Sequence, residues 1–206
     1  MKTLKDDTDF LALYRSTCAM GASILRSSAA LTAKQRKALI ADLKSGDEAR
    51  AKAALTLMGT SESVINEQRR LVSNFASRYP LPKDAAQIRK IVKDAVTAAK
   101  LSFSDDAGGG PAPDHIDEIT DELDLPRSDG SGGSGGSEGN TACLNGCKAQ
   151  AAALATAALI ANISALAACT ALGPFGIVCA VVAIASYALA LYEMDAVIDR
   201  CVANCG

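Results

Sequence analysis

Six of the chain's seven cysteines follow Ala142, at positions 143, 147, 169, 179, 201 and 205. Thiols at that density either pair into disulfides or ligate a soft metal ion. Two Cys-x-x-x-Cys pairs bracket a central pair, and the residue numbers of Cys143 with Cys205, Cys147 with Cys201 and Cys169 with Cys179 share one midpoint, Pro174. Facing residues in an antiparallel hairpin obey that relation. The spacing therefore predicts those three bridges, with Gly173, Pro174 and Gly176 forming the turn, since glycine and proline end helices and permit reversal. A structural zinc site needs about four ligands in one place, usually with closer cysteine spacing or histidine partners. The central pair stands 22 residues from either end pair, and the one histidine is His115. Disulfides are thus expected, with no metal and no cofactor.

The elements that hold these sulfurs must be helices. Cysteines four apart share a helical face, and 22 residues come close to six turns at about 3.6 residues each. Ala151, Ala158 and Ala165 on one arm and Ala183 and Ala190 on the other line the facing seam. Small side chains let the axes approach as closely as a disulfide demands. From Ala149 to Tyr192 the chain has 44 residues without a formal charge. Each arm is long enough to cross a bilayer core, which takes about 20 residues. Two helices alone cannot hide so much apolar surface, so further helices, self-association or a membrane must cover it.

The layout resembles that of halocin-type bacteriocin precursors, in which a cysteine-rich apolar antimicrobial peptide forms the C-terminus of a longer chain. The likeness rests on Thr141-Ala142-Cys143-Leu144-Asn145-Gly146-Cys147, the small-residue arms, the Leu172-Gly173-Pro174-Phe175-Gly176-Ile177-Val178-Cys179 turn and Asp199-Arg200-Cys201-Val202-Ala203-Asn204-Cys205. It covers about the last third of the chain, and the haloarchaeal examples have more cysteines and a twin-arginine signal. The resemblance implies a stapled peptide, cut from its precursor by a processing protease, passed by an exporter and acting on the membranes of target cells. It also implies an immunity or carrier role for residues 1–101. The alternative is a hairpin that anchors the chain in a membrane and holds the N-terminal part at its surface.

The rest of the chain is read as a basic helical bundle, 1–101, and a linker, 102–142. Trp is absent and Phe and Tyr number four each, so the core must be built from Ala, Leu, Ile and Val, the palette of packed helices. Five helices are predicted: 8–29, capped by Thr8 or Asp9; Thr32 to Lys44, ended by Gly46; Asp47 to near Gly59; Ser61 to Tyr79-Pro80; and Lys83 to Leu101. Residues 1–101 carry 18 Lys/Arg and 10 Asp/Glu, and residues 102–142 carry 1 and 10. The basic bundle and acidic linker are therefore candidates to pair with each other. The Gly- and Ser-rich run from Ser128 to Ser137 makes the linker a flexible tether. Ile116, Ile119, Leu123 and Leu125 allow a short apolar helix there, with a solvated strand of chain favoured. The whole is expected to be all-α: bundle, tether and stapled hairpin.

No catalytic residue is expected. His115 lies in the acidic tether, Gly108 to Gly110 lacks the Lys-Ser/Thr ending of a phosphate loop, Glu62 and Glu67 read as a solvated face, and Cys18 as a core thiol. Arg69-Arg70 and Lys34, Arg36 and Lys37 form a basic run without a nucleic-acid reading motif, so no nucleic acid is expected. The acids Asp6, Asp7 and Asp9 follow Met1 to Lys5 closely, so no Sec-type signal peptide is evident. The expectation is synthesis in the cytoplasm and secretion of the C-terminal part. Mass spectrometry of that part, before and after reduction, should differ by about six daltons, two hydrogens per bridge. Peptide mapping should return the mirror pairs; bridges within either Cys-x-x-x-Cys pair would overturn the hairpin.

Overall fold

The computed structural model describes Leu4 and residues 7–79, 81–82, 84–105, 119–120 and 138–205. Among the described residues all regular structure is helical: α1 Thr8–Ala29, α2 Ala33–Leu43, α3 Glu48–Leu57, α4 Glu62–Arg78, α5 Ala85–Asp105, α6 Glu138–Cys169 and α7 Gly176–Ala203. A 3₁₀ segment, Thr170–Phe175, joins α6 to α7. The turn expected at Gly173, Pro174 and Gly176 falls on that segment and the first residue of α7.

Local chemistry explains where the helices begin. Thr32 and Gln35 make a reciprocal capping box: the Gln35 N–H donates to the Thr32 hydroxyl at 3.3 Å and the Thr32 N–H to the Gln35 side-chain oxygen at 3.0 Å. Asp47 accepts from the Arg50 N–H at 3.0 Å, and Ser61 from the Val64 N–H at 3.5 Å. Gly46 and Gly59 have φ of 73° and 80°, a left-handed backbone that only glycine adopts cheaply, so α2 and α3 stop there. The cap of α1 is Asp7, in place of the expected Thr8 or Asp9, because its carboxylate accepts the N–H groups of Asp9 and Phe10 at 3.0 and 3.1 Å.

The bundle and the hairpin share one apolar core. One apolar core runs continuously from Phe10 and Leu13 through Leu71 and Phe75 to Leu159, Ile163, Ile184 and Ile198. Helices α1, α3 and α4 pack on α7, while α1, α4 and α5 pack on α6. The cause is the one noted in the sequence: two apolar arms leave their outer faces uncovered, and here other helices of the same chain cover one face. Phe10 and Phe75 meet edge to face, ring centres 5.8 Å apart, beneath the crossing of α1 and α4.

The linker is shorter than 102–142. Helix α5 continues to Asp105 and α6 begins at Glu138, so Thr141 and Ala142 are helical. Ile119 is helical and fully buried, against the solvated state favoured for this stretch. Its methyl Cδ1 lies near Gly21 of α1, where an added Cβ would come 3.1 Å from it and 2.5 Å from the Tyr187 hydroxyl of α7. Burial of an isoleucine offsets ordering cost that a wholly polar segment could not. The Gly/Ser run, His115 and the remaining acids of the linker lie outside the described residues.

A polar clamp ties the end of α4 to the start of α1. Arg78, at the end of α4, donates from Nε and Nη2 to the two oxygens of Asp7 at 2.9 and 2.7 Å, and Nη2 also reaches Asp9 at 2.6 Å. Burial acts to raise the Asp7 carboxyl, but Arg78 and the two backbone N–H donors more than reverse this and hold it below the ordinary carboxylate range. A depressed carboxyl contributes stability in full above its unfolded value of about 4 and loses it as pH falls through the lower folded value. Asp7→Ala should cost about 1 kcal/mol at neutral pH through the lost cap, a fall of roughly 2–4 °C in Tm. The stability gap between wild type and Asp7→Ala should narrow below about pH 4; a gap that stays constant to lower pH would remove the ionised clamp.

Candidate functional site

The hairpin of α6 and α7 places every cysteine of the C-terminal third where the mirror relation puts it. Cys143–Cys205, Cys147–Cys201 and Cys169–Cys179 are disulfides, with Cα separations of 5.7, 5.9 and 5.6 Å. Two bridges close the open end of the hairpin and the third clips the turn. Loop-closure entropy assigns about 4 kcal/mol to the Cys147–Cys201 bridge, whose partners stand 54 residues apart. Once it exists, each of the other two closes only a short loop, worth about 3 kcal/mol apiece. Cys18, in α1, is buried and takes no part in a disulfide.

The disulfides fix the register of the seam at both of its ends. Ala158, Asn162 and Ala165 of α6 and Ala183, Ser186 and Ala190 of α7 line a groove of about 310 Å³ between the arms. Ala151 and Ala183 are buried as expected of seam residues, whereas Ala158, Ala165 and Ala190 are part-exposed at the groove. Tyr187, at the groove's inner edge, donates its hydroxyl to the carbonyl of Thr17 at 3.3 Å and so ties the hairpin to α1. Ser186 donates back to Val182 within its own helix at 2.9 Å. Asn162 differs: it is 2 % exposed, and neither atom of its amide has a hydrogen-bond partner among the described residues. Leaving such a group unpaired costs free energy.

The two faces of the hairpin differ sharply. Toward the bundle, Leu159, Ile163, Leu166, Ile184 and Leu191 are almost wholly buried. Away from it, Val182 and Leu172 are each 50 % exposed, and Val178, Ile177 and Leu154 are also open to solvent. Both arms are long and apolar enough to cross a membrane, with mean hydropathy of 1.9 and 2.0, and about half of each is buried within the fold.

The basic and acidic residues singled out in the sequence do not assemble into a second site. Glu67 pairs with Arg70 at 2.6 Å on the surface, and Glu62 is exposed. Arg69 lines a notch of about 70 Å³ where the hairpin tip meets α4. Lys34 and Lys37 are exposed, but Arg36 lies beside Leu189 and Tyr192, its Nε buried without a partner among the described residues. Near it the Asp195 carboxyl is pushed up, first by burial and then by Asp199, with Arg36 opposing. Asn162, Gly21 and Ile119 were the residues that sequence reasoning passed over or underweighted. Asn162 is the one Asn within the uncharged 44-residue run, and that isolation was the available signal.

No protein-family model, curated protein or solved structure matches the chain. Its function is therefore argued from the hairpin.

Asn162→Leu should raise the stability of the oxidised protein by roughly 1 kcal/mol, or about 2–4 °C in Tm, by removing an unpaired buried amide. A lower melting temperature would mean that Asn162 has a partner in solution.

Proposed function

We propose that the chain is the precursor of a secreted antimicrobial peptide of the bacteriocin kind, whose disulfide-stapled hairpin acts on the membranes of target cells. The supporting observation is the double role of one apolar face. Leu159, Ile163, Leu166, Ile184 and Leu191 belong to the core shared with the bundle, so the face that would meet lipid is kept from water by residues 1–105. Fully burying side chains of this size is worth about 1.5–3 kcal/mol each, an incentive that a bilayer can replace and water cannot. The N-terminal bundle then acts as a cover, which gives the carrier role a physical meaning.

In this reading a processing protease cuts between α5 and α6, an exporter passes the product, and lipid competes with the bundle for the hairpin's inner face. The three bridges matter because the hairpin must keep its shape once the bundle is gone. With only Lys148 and Arg200 as cations between Cys143 and Gly206, attraction to lipid would be apolar in origin and nearly indifferent to salt. A second reading is favoured by the length and hydropathy of the arms: the uncut chain inserts and anchors the bundle at a membrane.

Dye-loaded vesicles of zwitterionic lipid test the proposal. The intact oxidised chain should leave them sealed; the same protein cut between residues 106 and 137 should release dye, and cutting followed by reduction should abolish much of the release. Leakage by the intact chain at the same concentration, or none after cutting, would sink the precursor reading. Intact protein that leaves producing-cell membranes only with detergent would establish the anchor instead.

A further inference from the structure

The open end of the hairpin gathers the four sulfurs of its two bridges into one small volume. The sulfurs of Cys143, Cys147 and Cys205 all lie within 4.8 Å of one another, and Cys201 is joined to Cys147. Cys147 and Cys205, which are not bonded to each other, have their sulfurs 3.7 Å apart. Four thiolates around a zinc ion at about 2.3 Å would stand about 3.8 Å from one another at tetrahedral angles. The non-bonded contact already has that spacing. Each helix supplies two residues at i and i+4, a pairing that presents both side chains to one point between the arms. The expectation from sequence treated all six cysteines together and found no common centre; the two end pairs alone supply the four ligands.

We propose that the reduced form of this end, Cys143, Cys147, Cys201 and Cys205, is a tetrathiolate site for a thiophilic d¹⁰ cation, zinc in the first instance. The hairpin is then clamped in two interchangeable ways, by two disulfides when oxidised and by one metal ion when reduced. In forming the site, two equivalents of a dithiol reductant each deliver two electrons and two protons to a disulfide and become disulfides themselves. The divalent cation then displaces four thiol protons to solvent, leaving a centre of charge −2. The hairpin's two cations, Lys148 and Arg200, are the immediate chain neighbours of Cys147 and Cys201, at mirror-related positions. Cys169 and Cys179 are excluded: 22 residues of helix place them about 33 Å from the end pairs.

The inference rests on the placement of the sulfurs and is independent of membrane activity. It gives a chain made among reducing thiols a way to hold α6 and α7 in register before any disulfide exists.

Cobalt(II), a spectroscopic stand-in for zinc, tests it on the full-length chain reduced with a phosphine under nitrogen. The expected result is one equivalent of cobalt bound with release of about four protons, thiolate-to-metal charge transfer in the near ultraviolet and the visible bands of tetrahedral cobalt, followed by displacement of the cobalt by zinc without further proton release. The oxidised chain should bind none. Cys205→Ser, just beyond the last turn of α7, and Cys147→Ser should each weaken zinc binding by roughly a hundredfold or more. The double variant Cys169→Ser, Cys179→Ser should bind as the wild type does. Absence of one-equivalent binding, equal binding by the oxidised chain, unchanged affinity in Cys205→Ser and Cys147→Ser, or loss in the central-pair variant would each overturn the site. Vesicle leakage enters none of these readouts, so the two proposals fail separately.

Discussion

The short reach of a disulfide governs this molecule. Three bridges with Cα separations under 6 Å oblige two long helices to lie close along their whole length, and only small residues permit that. Ala158, Ala165, Ala183 and Ala190 line the seam for this reason. Small seam residues in turn bury little area between the arms, so the hairpin cannot hide its larger apolar side chains by closing on itself. Leu159, Ile163, Ile184 and Leu191 must face something else, and in this fold they face the N-terminal helices. The bundle is thus a physical consequence of how tightly the hairpin is sewn.

That chain of consequences explains what could be read from the residues and what could not. The hairpin and its pairing were legible because covalent chemistry leaves numerical traces: cysteines at mirror positions around Pro174. The boundaries of α2, α3 and α4 were legible because Thr32, Asp47, Ser61, Gly46 and Gly59 act within a few residues of themselves. The docking of hairpin on bundle left no such trace. Helices α6 and α7 are apolar nearly all round, so no stripe marks which side meets α1 and α4, and the contact joins residues far apart in the chain. The division by charge at residues 101 and 142 therefore carries no sign of the core that the two parts share.

Smaller misses have the same origin. Asp7 caps α1 in place of its neighbours because Arg78, 71 residues on, helps to hold its carboxylate there. Ile119 is anchored within an acidic segment because Gly21 leaves room for it beside Tyr187. Asn162 has no local reason to be buried and unpaired; its position follows only from the register of the seam. In each case the deciding partner lies on another helix.

The bridges also make the hairpin a closed covalent ring. A peptide bond hydrolysed anywhere between Cys147 and Cys169, or between Cys179 and Cys201, leaves both resulting ends still tied through sulfur. Such a scission adds one water and liberates no fragment. A peptide meant to persist among foreign proteases would gain from that topology, since a nick on either arm leaves every segment attached to the whole.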